Sequence, residues 1–293
     1  MLDSSGTLFQ CQLRGKLKLA GSKATNPVAV GDKVAFSLEQ DGIGMIHTIM
    51  DRKNHIIRKA TKLSRQTHVI AANIDQAMVI ATLAEPRTST GFIDRFLVTC
   101  EAYSIPAMII FNKTDLLVSE TARSQLQEMQ DIYLQAGYQS LGVSAIEGSG
   151  MQSFAALLAG KTTLLSGHSG VGKSTLINAI EPDINLKVQE ISAAHLKGKH
   201  TTTFAEMIPL STGGFIIDTP GIKEFGLVDF QPEELNHFFP EMQKLFNKCR
   251  YDNCTHMNEP GCMVKAAVEE GRISLSRYSN YIGMLLGEDR KSY

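Results

Sequence analysis

Gly167-His168-Ser169-Gly170-Val171-Gly172-Lys173-Ser174 lies between an apolar run at 163–165 and a helical stretch at 175–180. This G-x-x-x-x-G-K-[ST] string in a strand–loop–helix setting restricts the fold more than any other feature of the chain. Its glycines let successive backbone N–H groups curl around phosphate oxygens at a helix N-terminus, where the dipole favours negative charge. Lys173 is placed to pair with the β- and γ-phosphates and Ser174 to ligate Mg²⁺. Gly167, Ser169, Gly170, Val171, Gly172, Lys173, Ser174 and Thr175 are therefore the expected phosphate-binding set. The plainer alternative is a Gly-rich turn with a solvated lysine.

The surroundings favour the first reading. Short apolar runs at 78–83, 107–111, 139–143, 161–166, 204–210 and 214–217 predict strands, and helical patterns at 93–103, 119–136 and 150–158 separate the first four. Strands alternating with helices predict an α/β domain with a mostly parallel sheet. Three more strings follow predicted strands directly. Asp218-Thr219-Pro220-Gly221 offers a carboxylate toward Mg²⁺ and an N–H toward a γ-phosphate. Asn112-Lys113-Thr114-Asp115 offers a carboxylate that can accept from guanine N1–H and N2–H₂, a donor pair adenine lacks. Val143-Ser144-Ala145 suits a backbone contact to guanine O6. Each alone could be an ordinary strand-end turn; together on one domain they predict binding of GTP and GDP rather than ATP.

The order of these motifs is unusual. Here 112–115 and 144–145 precede the phosphate loop, which is followed by Lys199-His200-Thr201-Thr202-Thr203 and then 218–221. A pocket built where strand ends converge survives relocation of the termini, so a circularly permuted G domain is predicted. It leaves 218–221 beside the C-terminal region, which is expected to move on hydrolysis. Many GTPases place a Gln after D-x-x-G to orient water; this chain has Ile222, which predicts slow intrinsic hydrolysis. His200 is the candidate for orienting water, with a solvated loop histidine as its alternative. Thr202 is the expected switch threonine on Mg²⁺, with Thr201 and Thr203 as alternatives.

Cys249-x₄-Cys254-x-His256-x₅-Cys262 gathers three of the five cysteines with a histidine. Three thiolates and one imidazole complete a closed tetrahedral Zn²⁺ shell, which predicts a structural site. Reduced, scattered thiols are the alternative. Cys11 and Cys100 read as core residues, and five cysteines are too few and too odd in number for a disulfide scaffold. The start, Met1-Leu2-Asp3-Ser4-Ser5, lacks the basic and apolar regions of a signal peptide, and no apolar run approaches the ~20 residues of a membrane span. A cytoplasmic protein without membrane contact is expected.

The first part of the chain reads as short strands without helices, an OB-type barrel being the candidate. Whole-chain charge is −1, but residues 1–68 carry 11 Lys and Arg against 5 Asp and Glu, whereas 69–228 carry 10 against 15 and 229–293 carry 8 against 10. Arg14, Lys16 and Lys18 alternate on one predicted strand face, with Arg58, Lys59, Lys62 and Arg65 near the junction. They form a candidate phosphate-backbone footprint; the alternative is a solvated basic face.

The permuted order, the barrel-like leader and the C-x₄-C-x-H-x₅-C ending together resemble the circularly permuted, ribosome small-subunit-dependent GTPase A family of bacteria. Val30-Gly31-Asp32, Val69-Ile70-Ala71-Ala72-Asn73-Ile74-Asp75 and 198–203 extend the resemblance over essentially the whole chain, with a departure at Lys199, where relatives often carry Arg. The resemblance implies a multidomain α/β protein: an OB-fold RNA-binding domain at 1–67, a permuted GTPase domain at 68–228 and a helical zinc-binding domain at 229–293. It also implies GTP hydrolysis stimulated by the 30S subunit late in that particle's maturation, contact with 16S rRNA, and a hydrophobic residue in place of the catalytic Gln. By resemblance the nucleotide-site residues fall on Asn112, Lys113, Asp115, Ser144, Gly167, Gly172, Lys173, Ser174, Thr202 and Asp218. The zinc ligands fall on Cys249, Cys254, His256 and Cys262. A monomer is expected. Competing readings are an RNA-binding scaffold in which GTP sets affinity only, and an ATP-dependent kinase, which Asp115 disfavours.

Overall fold

The computed structural model describes residues 1–3, 6–13, 26–39, 42–59, 67–184, 205–218 and 232–287. Arg14, Lys16, Lys18, Lys62, Arg65, Lys199, His200, Thr201, Thr202, Thr203, Gly221 and Ile222 lie outside the described residues, as do the side chains of Arg58 and Lys59.

The chain begins with β1 (Cys11–Leu13), β2 (Val34–Leu38) and β3 (Gly44–Ile49), which form a three-stranded sheet in the order β1-β3-β2. β4 (His55–Lys59) and β5 (Thr67–Ala72) form a separate antiparallel pair. The described residues thus trace two small sheets here and no closed barrel. The hairpin's apolar side joins the central α/β sheet: Ile56 and Ala71 are buried in the same cluster. A bridge from Val30 to Ala71 and paired hydrogen bonds between Asn26 and the Val69 backbone link the hairpin to the preceding segment.

Six strands make the central sheet: β6 (Gln76–Ala81), β7 (Ala107–Phe111), β8 (Gln139–Gly142), β9 (Lys161–Ser166), β10 (Glu206–Pro209) and β11 (Gly214–Asp218). Their order is β10-β11-β9-β6-β7-β8, and every neighbouring pair except β10–β11 is parallel. All six residues of β6 are buried, as a strand covered on both faces requires. Side chains alternate: Ala77, Val79 and Ala81 pack with α1 (Thr90–Ala102) and α2 (Glu120–Ala136). Met78 and Ile80 pack on the other face with α3 (Met151–Leu158) and α4 (Lys173–Ile180). Serine caps start α1 and α2: Ser89 Oγ accepts from the Phe92 N–H and Ser119 Oγ from the Ala122 N–H.

The C-terminal region adds a 3₁₀ segment (Pro232–Phe238), α5 (Pro240–Gln243), α6 (Met263–Glu269) and α7 (Leu275–Leu286). Its core includes Leu235, Phe239, Met242, Val264, Ile273 and Tyr281, together with Val98 of α1. Cys100 is fully buried, whereas Cys11 is half-buried. Among the described residues no helix is long and apolar enough to cross a membrane.

Candidate functional site

Strand order reverses direction beside β6: the chain runs outward through β7 to β8, then returns to β9 on the opposite side. Such a switch point opens a crevice at the carboxyl ends of the strands, and the loops after β6, β7, β8 and β9 share that rim with Asp218 at the end of β11.

The loop after β9 carries the phosphate motif. Gly172 is the N-cap of α4, with φ +91°. A Cβ there would lie 2.4 Å from Asn112 Nδ2, and one at Gly167 would lie 2.6 Å from the Ile80 carbonyl oxygen. The loop therefore closes against its neighbours only because both positions are glycine. Lys173 Nζ donates to the carbonyl oxygens of Gly167 (2.6 Å) and His168 (3.0 Å), so its ammonium lies over its own loop. Burial pushes the Lys173 pKa below its ordinary value, while nearby Asp218 pulls it up. Ser174 and Asp218 are both buried, and Asp218 ends β11 in register with Leu165 of β9. That leaves a hydroxyl and a carboxylate beside the lysine, a donor set suited to a hard cation such as Mg²⁺.

Asn112 and Asp115 stand on the adjoining loop. Asn112 Nδ2 donates to the Val171 carbonyl oxygen (2.8 Å), stitching this loop to the phosphate loop, and its buried Oδ1 has no partner among the described residues. Lys113 adopts a left-handed φ of 62° and sends Nζ to the Glu85 carbonyl oxygen. Ser144 Oγ donates to Asp115 Oδ1 (2.6 Å) and accepts from the Glu147 N–H. The hydroxyl thus fixes one carboxylate oxygen. Ala145 follows Ser144 on the same turn.

The loop at 82–88, after β6, carries no phosphate- or guanine-binding motif. Thr82 N–H donates to Thr88 Oγ1 and Thr82 Oγ1 to the Pro86 carbonyl oxygen, and Pro86 lies 3.4 Å from the position a Cβ on Gly170 would take. The available signal was positional: any loop leaving the carboxyl end of a central parallel strand joins the rim.

The cysteine cluster converges as well. The ligand atoms of Cys249, Cys254, His256 and Cys262 all lie within 4.8 Å of one another. His256 Nδ1 is 3.4 Å from Cys262 Sγ and 3.7 Å from Cys249 Sγ, close to the about 3.6 Å that tetrahedral Zn–S and Zn–N bonds impose. The loop is held from outside. Glu259 accepts from the N–H groups of Thr255, Met257 and Asn258, and Tyr278 and Tyr281 donate to the carbonyl oxygens of His256 and Thr255. Burial lowers the His256 pKa, favouring the neutral imidazole that binds metals, and raises the Cys254 thiol to about 12. Asn236 Nδ2 lies 3.0 Å from His256 Nε2 while the buried Asn236 Oδ1 has no partner among the described residues. Two donors face each other whenever Nδ1 binds metal; turning the amide places Oδ1 opposite Nε2–H and satisfies both.

A family model described as the RsgA GTPase matches residues 49–228, and one described as the RsgA N-terminal domain matches 2–46. The "Small ribosomal subunit biogenesis GTPase RsgA" of Bacteroides fragilis strain YCH46 is 50% identical over 289 residues, covering 99% of this chain and 93% of that protein. The protein of the same description from Flavobacterium johnsoniae is 49% identical, covering 98% and 89%. The crystal structure of YjeQ from Thermotoga maritima aligns with a TM-score of 0.77 at 35% identity, covering 97% of this chain and 91% of that one. YloQ, described as a circularly permuted GTPase, aligns with a TM-score of 0.75 at 31% identity, covering 100% and 91%.

Proposed function

Because the chain belongs to the RsgA GTPase family and is a GTP hydrolase, we propose that it binds the 30S ribosomal subunit during its late maturation and hydrolyses GTP to GDP and phosphate under that particle's stimulation. The observation that carries the reading is the convergence of three separate loops: Asn112 bonded to the phosphate loop and Asp115 bonded to Ser144. Phosphate and guanine recognition are then coupled on one rim.

In this reading Asp115 accepts from guanine N1–H and N2–H₂, with Ser144 orienting the carboxylate. Asn112 and Lys113 brace the base side, and Ala145 supplies a backbone contact to guanine O6. The N–H groups of 167–175 cradle the phosphates. Lys173 leaves its loop carbonyls for the β- and γ-phosphate oxygens, where its charge offsets the charge that builds as water displaces GDP. Ser174, Asp218 and a switch threonine, Thr202, hold Mg²⁺, which neutralises phosphate charge when bound. His200 orients water, and Gly221 donates to the γ-phosphate. Cys249, Cys254, His256 and Cys262 hold one structural Zn²⁺, with Asn236 setting the histidine tautomer.

The domain limits we assign are 1–67, an OB-fold that meets 16S rRNA through its basic face, 68–228 for the GTPase and 229–293 for the zinc-binding domain. The protein acts as a cytoplasmic monomer. GTP hydrolysis measured with and without 30S subunits tests the proposal. A rate indifferent to the subunit would favour a scaffold in which GTP sets only affinity for RNA.

A further inference from the structure

A buried ionic cluster lies outside every sequence motif. Arg277 of α7 is 1% exposed. Its Nη1 donates to Asp94 Oδ1 of α1 (2.6 Å), and its Nε and Nη2 donate to the Glu241 carboxylate of α5 (2.8 and 3.1 Å). The Phe239 ring lies 4.7 Å from the guanidinium carbon. Asn280 donates to the second Asp94 oxygen (2.6 Å). A planar guanidinium held between two carboxylates and an aromatic face has one geometry available, so α1 and α7 are fixed in register.

Two residues before Asp94, Phe92 packs against His168 of the phosphate loop, their ring centroids 3.9 Å apart and the rings tilted by 33°. Residues two apart on a helix point about 200° apart around its axis. The first turn of α1 therefore touches the phosphate loop on one side and the C-terminal region on the other. Asn280 also closes on its backbone, 3.5 Å from where a Cβ on Gly91 would stand.

We propose that Arg277 is a positioning residue for the nucleotide site: through Asp94 it sets the first turn of α1, and through Phe92 that turn sets His168 and the phosphate loop. The inference rests on reading 167–175 as the nucleotide site. A purely structural ion pair would change stability alone. A positioning joint changes nucleotide binding, and it does so only while Phe92 transmits the constraint.

The test is a double-mutant cycle in the full chain, reading release of a fluorescent GDP derivative with melting temperature alongside. Arg277→Met and Asn280→Ala are each combined with Phe92→Leu. Expected is GDP release faster by about fivefold or more for the α7 variants, falling below about twofold in the Phe92→Leu background. Unchanged release in folded Asn280→Ala, or equal effects in both backgrounds, would overturn the proposal. Should Arg277→Met fail to fold, Asn280→Ala decides alone, because it removes a single hydrogen bond. A wild-type chain that bound no GDP would instead remove the nucleotide-site reading itself.

Discussion

At the scale of single residues, the rim of the central sheet is set by contacts too close for any side chain but the one present. Gly172 combines a φ of +91° with an Asn112 amide 2.4 Å from where a Cβ would stand. Gly172→Ala must strain the backbone and push Asn112 off the Val171 carbonyl oxygen. Strain of this kind costs about 1–3 kcal/mol, so GDP affinity is expected to fall by roughly 5- to 150-fold. Calorimetric titration showing unchanged affinity would mean that the stitch between the two loops is dispensable. Lys173 was legible from its string alone, since its neighbours in space are largely its neighbours in sequence. Arg277 was not, because Asp94 lies 183 residues away and nothing local marks either residue as ionic core. Asp115 was legible, but the Ser144 hydroxyl that orients it was anticipated only as part of a backbone contact.

At the scale of elements, the turn before β6 is tied to the start of β9. The Asp75 N–H donates to the Thr162 carbonyl oxygen, and the Thr162 N–H donates to Asp75 Oδ2. Burial alone would raise the Asp75 carboxyl, but the Thr162 N–H and the Lys53 ammonium hold it below its ordinary value of 3.8. A depressed carboxyl contributes stability that is present above the ordinary pKa and lost as pH falls through the folded one. Asp75→Asn is therefore expected to cost less than about 1 kcal/mol at pH 7, given the solvent screening of this half-exposed group. The difference from wild type should shrink below pH 3.8, which denaturation at several pH values checks; a difference constant with pH would contradict it. In the C-terminal region the metal loop depends on its outer contacts. Asn236→Leu is expected to weaken zinc binding by about 10- to 100-fold, measured by competition with a chromogenic chelator, and unchanged affinity would remove Asn236 from the site. Short apolar runs marked every strand of the central sheet to within a few residues, because burial on both faces leaves little freedom of composition. The β4–β5 hairpin was less legible: a short strand-like run does not say which sheet its apolar side covers.

For the whole molecule, near-neutral charge concealed an uneven distribution, with the basic excess confined to residues 1–68. Motif order exposed the circular permutation, and the sheet order β10-β11-β9-β6-β7-β8 shows how it is accommodated. The described motif residues keep one rim, while β10 and β11, last in chain order, stand at one edge of the sheet. The C-terminal region packs on α1 through Val98 of α1 and the bond from Arg277 of α7 to Asp94, so a partner touching it sits one helix away from the phosphate loop. Hydrolysis should therefore answer to the particle that holds the protein. The most direct measurement is multiple-turnover GTP hydrolysis with no addition, with 30S subunits and with 50S subunits, using Lys173→Ala as control. The account predicts a slow intrinsic rate, a rise of at least about tenfold (about 1.4 kcal/mol off the activation barrier) with 30S subunits only, and no response from the variant. A wild-type rate unchanged by 30S subunits, or raised equally by 50S subunits, would contradict it.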